Sequence, residues 1–92
     1  MSKLDEARKK INVIDKQMAE LFEARMKASE EVAEYKKEQN LPLEDLKRES
    51  EVIEKNSAYI KDPVIREYYV EYQKELMNIS KKYQAKLLNR DK

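Results

Sequence analysis

From Leu4 to Lys37 the chain carries an unbroken seven-residue repeat. One repeat position takes Leu4, Ile11, Met18, Arg25 and Val32, and the other takes Ala7, Ile14, Leu21, Ala28 and Tyr35. All but Arg25 are apolar, at the alternating three- and four-residue spacing of a helix that packs lengthwise against partners. No Gly or Pro interrupts the run. The spacing predicts one helix of about 34 residues, roughly 50 Å long. A compact chain of 100 residues has a radius of gyration of only about 13 Å. Such a helix cannot bury its whole seam inside its own monomer, so the chain is expected to be a helical oligomer with Arg25 inside it.

Ninety-two residues allow one domain, and a core this small is marginal alone. The absence of Gly and the 42% of charged residues are those of long helices. Nowhere do β-branched residues alternate with polar ones, so no strand is expected. The reading is all-α, one domain over 1–92, with helices at about 4–39, 44–59 and 63–88. Twenty basic and 19 acidic residues leave a net charge of +1. The signs are interspersed, and short runs such as Lys9-Lys10 and Lys81-Lys82 do not make the basic stripe of a nucleic-acid binder. With no Cys and no His, disulfides, thiol chemistry, imidazole catalysis and His-based metal sites are excluded. No apolar run suits a signal peptide or a membrane span, which points to a cytoplasmic protein.

Ser2 is placed to cap the first helix, with Asp5 and Glu6 against its positive dipole end. Asn40 suits a left-handed C-terminal position, and Pro42 supports a break there. The second helix would turn inward a stripe of Leu46, Glu49, Ile53, Asn56 and Ile60, unusually polar for an inner face. Asp45, Arg48 and Glu49 share a face, and periodicity alone reads them as a surface ion-pair cluster. Asp62-Pro63 opens the third helix as N-cap and first residue. Its seam is read as Ile65, Tyr69, Tyr72, Leu76, Ile79 and Tyr83. Ser80 and Gln84 flank that seam and read first as boundary positions. Residues 89–92 read as a frayed tail.

The cations of the first helix need a reason. Arg25 and Lys36 lie 11 residues apart, within about 20° of one face and some 16 Å along the axis. Two long side chains can converge over that gap on a small anion. Burying Arg25 unpaired would cost several kcal/mol. Either a carboxylate such as Glu49 pairs with it, or the interior is a wet anion pocket. Arg8 precedes Arg25 by 17 residues, about 25 Å away and about 100° round. It reaches the same ligand only from a second chain.

These residues, in this order, resemble the all-helical class of chorismate mutase. The resemblance covers about Leu4 to Leu88. It rests on Arg8 in Ala-Arg-Lys-Lys-Ile, on Leu-Phe-Glu-Ala-Arg25-Met, and on Lys36. It continues through Pro42-Leu-Glu-Asp45-Leu-Lys-Arg48-Glu49 to Tyr72-Gln73, Ser80 and Gln84. The Asp-x-x-Arg-Glu block after a Pro is the most specific piece. The resemblance implies an intertwined homodimer with three helices per chain and two internal sites, each borrowing an arginine. Arg8 would be the borrowed one, and Arg25 would bind a substrate carboxylate. Lys36 and Gln84 would hydrogen-bond the ether oxygen. Glu49 would hold the ring hydroxyl, aided by the backbone at Asp45. Arg48 and Ser80 would complete the pocket. Glu44 stands where some relatives carry an arginine, which makes the rim less cationic.

The implied reaction, chorismate to prephenate in aromatic amino acid biosynthesis, is a one-substrate rearrangement that needs no metal, nucleophile or redox cofactor. Two other readings stand beside it. One is a non-catalytic helical dimerisation module whose inner charges fix register. The other is a lyase of the same fold that removes pyruvate from isochorismate.

Overall fold

The computed structural model describes residues 2–89. They form α1 (Lys3–Glu38), α2 (Leu46–Ser57) and α3 (Pro63–Asn89), with no strand among the described residues. The all-α, three-helix expectation is met. Of the expected frayed tail, Asn89 ends α3, and 90–92 lie outside the described residues.

Local chemistry sets each boundary. Ser2 Oγ accepts from the Asp5 amide at 3.1 Å and caps α1. At the other end Asn40 takes φ 55°, in the left-handed region. The Leu41 amide then donates to the Lys36 carbonyl at 2.8 Å, and the Asn40 amide to that of Lys37 at 3.2 Å. Those two bonds are a Schellman closure, made here with Asn because the chain has no Gly. Helix α2 starts two residues later than the spacing suggests. Asp45 stands outside it as N-cap, accepting from the Arg48 amide at 3.0 Å. Asp62 Oδ1 caps α3 through the amides of Val64 and Ile65. Arg66 folds back and donates to the carbonyls of Ser57, Ile60 and Lys61, which closes the end of α2.

The side-chain bonds give the helix directions. Arg25 meets Ser80 and Glu30 meets Tyr83, so α1 and α3 run parallel. Glu49 meets Lys81 and Asn56 meets Gln73, so α2 and α3 run antiparallel. The whole measures 55 × 27 × 14 Å, with a radius of gyration of 16.6 Å. A compact chain of this length would have about 12 Å.

Little of the chain is covered. The buried apolar residues are Ala33, Leu76 and Met77, against five buried polar ones: Ser29, Ser57, Gln73, Ser80 and Gln84. Among the described residues, buried polar side chains thus outnumber buried apolar ones. From Lys3 to Ala24 every residue of α1 is exposed, including Leu4, Ile11, Ile14, Met18 and Leu21. The seam expected for α3 needs correction. Ile65, Tyr72 and Ile79 are exposed, and the buried stripe runs through Gln73, Leu76, Met77, Ser80 and Gln84. That stripe keeps helical spacing and faces a mixed side of α1, where Arg25 and Ser29 stand beside Ala28, Val32 and Ala33. No helix among the described residues is long and apolar enough to cross a membrane.

Candidate active site

A cavity of about 320 Å³ opens between the second half of α1, the start of α2 and the second half of α3. That is within the usual range for a small-molecule site, about 300–1,000 Å³. Arg25 and Lys36 stand on the α1 wall, Asp45, Arg48 and Glu49 at the mouth of α2, and Ser80, Lys81 and Gln84 on the α3 wall. Seven of the eight residues singled out in the sequence therefore meet around one space. Arg8 does not. It is exposed, near the start of the same helix.

Each wall is positioned by a local device. The Schellman turn sends the chain back across Lys36, whose Nζ donates to the Leu43 carbonyl at 2.8 Å. An ammonium has three donors, so two remain for a ligand. Asp45, as N-cap, places Arg48 and Glu49 in the first turn of α2, over the cavity. Arg25 Nη1 donates to Ser80 Oγ at 2.7 Å, which ties α1 to α3 and fixes the guanidinium at the cavity wall. Its other donors have no partner among the described residues. Gln84 is buried in the same wall, and its amide finds no side-chain hydrogen bond among the described residues.

Of the two possibilities left open for Arg25, the carboxylate partner is not found: Arg25 pairs with Ser80 and not with Glu49. Two expectations are corrected here. The surface ion-pair cluster of Asp45, Arg48 and Glu49 does not form. Asp45 spends an oxygen on the Arg48 backbone, and Glu49 pairs with Lys81 at 3.0 Å. Ser80 and Gln84 are not boundary positions, since both are buried. The reason is common to both. The helix end and the α3 register, neither of which periodicity specifies, turn these groups inward.

Lys81 is the residue that sequence reasoning missed. It read as half of a solvated doublet with Lys82, yet it lines the cavity between Ser80 and Gln84. Its Nζ bonds Glu49, and Glu44 at 3.1 Å. The hydrogen bonds it donates to Glu49 and then to Glu44 raise its pKa above the ordinary 10.5, against the opposing effect of burial. Its place between two suspected site residues one helical turn apart was the available signal.

Charge decides what the cavity suits. Four cations line it, Arg25, Lys36, Arg48 and Lys81, against two carboxylates, Asp45 and Glu49. One carboxylate is engaged as a cap and the other by Lys81. The surplus is positive, on rigid helices, around a small space, which is the design for a small anion with more than one negative group.

The profile of the family described as chorismate mutase type II matches residues 7–85. The chain belongs to the chorismate mutase type II family. A solved structure of a conserved hypothetical protein from Pyrococcus furiosus is similar, with 32% identity and a TM-score of 0.71. The alignment covers 91% of this chain and 97% of that one. No curated protein matches the chain significantly. Family membership accounts for the helix order and supports a chorismate mutase-like function.

Proposed function

We propose that the chain is a chorismate mutase, converting chorismate to prephenate by [3,3] rearrangement in a homodimer. The observation that carries this reading is the convergence of Arg25, Lys36, Ser80 and Gln84, from α1 and α3, on one cationic cavity. The substrate is a flexible dianion. Arg25, together with Arg8 of a second copy, clamps its carboxylates and holds the compact chair-like conformer, which is catalysis by orientation. As the C–O bond breaks, negative charge grows on the ether oxygen. Lys36 and Gln84 are the donors aimed at that charge, and Gln84 needs no proton to do so at neutral pH. Glu49 accepts from the ring hydroxyl with the oxygen that its own chain leaves open. Arg48 and Ser80 complete the anion pocket, with the backbone at Asp45 beside the hydroxyl.

The bare seam of α1 supports the dimer. Leu4, Ile11 and Ile14 are each at least half exposed, on a helix too long to be covered by its own chain. A second copy that covers this seam also brings its Arg8 toward the middle of the first.

The test is to add chorismate and follow the loss of its ultraviolet absorbance, with the product identified as prephenate. Unchanged chorismate would overturn the reading. A non-catalytic dimerisation module predicts that outcome, and also that Arg25→Leu is neutral or stabilising. Pyruvate released from isochorismate, with chorismate untouched, would mark the lyase.

A further inference from the structure

Glu49 is held at one oxygen and open at the other. Its Oε1 lies 3.0 Å from Lys81 Nζ, while Oε2 is buried with no hydrogen-bond partner. Buried carboxylate oxygens are ordinarily satisfied, so the open one needs an incoming donor. Lys81 is itself held from outside, because its Nζ also lies 3.1 Å from Glu44 Oε2. One ammonium on α3 therefore bridges two carboxylates, one in the loop before α2 and one in its first turn. The side chains of Lys81 and Glu49 are 25% and 21% exposed, and that of Glu44 is 60% exposed. The inner pair is sheltered and the outer anchor wet.

The geometry points to Lys81 as a positioning residue for Glu49, with Glu44 as its outer anchor. The charge-assisted bond to Oε1 removes the freedom of a long side chain and sets where Oε2 points. A ligand hydroxyl is the donor that Oε2 then suits, so this pair selects a hydroxyl-bearing ring. The inference rests on the mutase reading above, in which Glu49 takes that hydroxyl. It also changes the meaning of Glu44. That residue does not line the cavity, and its charge is engaged by Lys81 instead of facing an anionic substrate.

The test is a double-mutant cycle in kcat/KM for chorismate with Lys81→Met, Glu49→Ala and the double variant, with Lys81→Arg as the conservative control. Loss of positioning by Lys81→Met should cost about 10–100-fold. Lys81→Arg, which keeps a cationic donor, should recover most of that. In the Glu49→Ala background, Lys81→Met should cost less than about threefold, because the residue it positions is gone. Glu44→Gln, a mild change at an exposed position, should cost a few-fold in the parent and nothing beside Lys81→Met. If Lys81→Met keeps its full effect beside Glu49→Ala, the lysine acts on the substrate directly and the inference falls. If Lys81→Met alone is near normal, it also falls. An unsubstituted protein that leaves chorismate untouched is a different failure, that of the mutase reading itself.

Discussion

The two halves of α1 share one helix, one repeat and one composition, yet they meet opposite surroundings. From Lys3 to Ala24 the apolar seam is bare. From Arg25 onward the same helix is tied to the rest of its chain by polar groups: Arg25 to Ser80 and Glu30 to Tyr83 on α3, and Lys36 to the α1–α2 turn. The difference teaches that the repeat specifies a helix and a direction, while register against the neighbours decides which stretch is greasy and which is wet. It also separates them in kind. The first half leaves its apolar seam exposed, and the second lines the cavity.

The largest effect should come from the bare half. Ile11→Lys with Ile14→Lys removes two seam side chains from each chain. At about 1.5–3 kcal/mol for each fully buried residue, that is about 6–12 kcal/mol per dimer. Sedimentation should show the dimer lost, and the melting temperature should cease to depend on concentration. A dimer that survives would mean that its interface lies elsewhere. The next effect belongs to the wet half. Lys36→Ala should raise the barrier by about 3–4 kcal/mol, a loss of two to three orders of magnitude in turnover, with helicity and association unchanged. Near-normal turnover would remove the ether-oxygen donor from the mechanism.

Much of this was legible beforehand. Apolar spacing marked α1, Pro63 after Asp62 marked the start of α3, and Asn40 before Pro42 marked the turn that folds back over Lys36. The cations of α1 stood out because a seam with one guanidinium has to account for it. What could not be seen is what depends on register. The buried face of α3 was misassigned because Ile65, Tyr72 and Ile79 look more like a core than Gln73, Ser80 and Gln84 do. Hydropathy ranks them so, but the opposite wall of α1 is mixed, with Arg25 and Ser29 beside Ala28 and Val32. Asp45 looked like an ion-pair partner because an N-cap and a first-turn residue are spaced alike. Lys81 was hidden by Lys82, since a doublet on a charged helix carries no direction.

Two smaller tests sharpen the boundary between the halves. Asn40→Ala puts a Cβ without a side-chain amide at φ 55°. It should cost about 1 kcal/mol in urea unfolding, and Asn40→Gly should cost nothing. The smallest effect is a pH dependence. The pKa of Lys81 is raised in the folded chain, so its stabilisation is complete below its ordinary value of 10.5. It is lost as pH climbs through the higher folded value. Unfolding followed into that alkaline range should lose stability more steeply in the parent than in Lys81→Met.

The central claim is that each cavity is completed by an arginine from a second chain. Arg8→Ala and Arg25→Ala chains, each inactive alone, should be unfolded together, refolded and assayed with chorismate. Half of the mixed dimers carry both kinds of chain, and each such dimer has one intact site of two. The account predicts recovery of about a quarter of the parent activity. No recovery on mixing, with dimers confirmed, would contradict it.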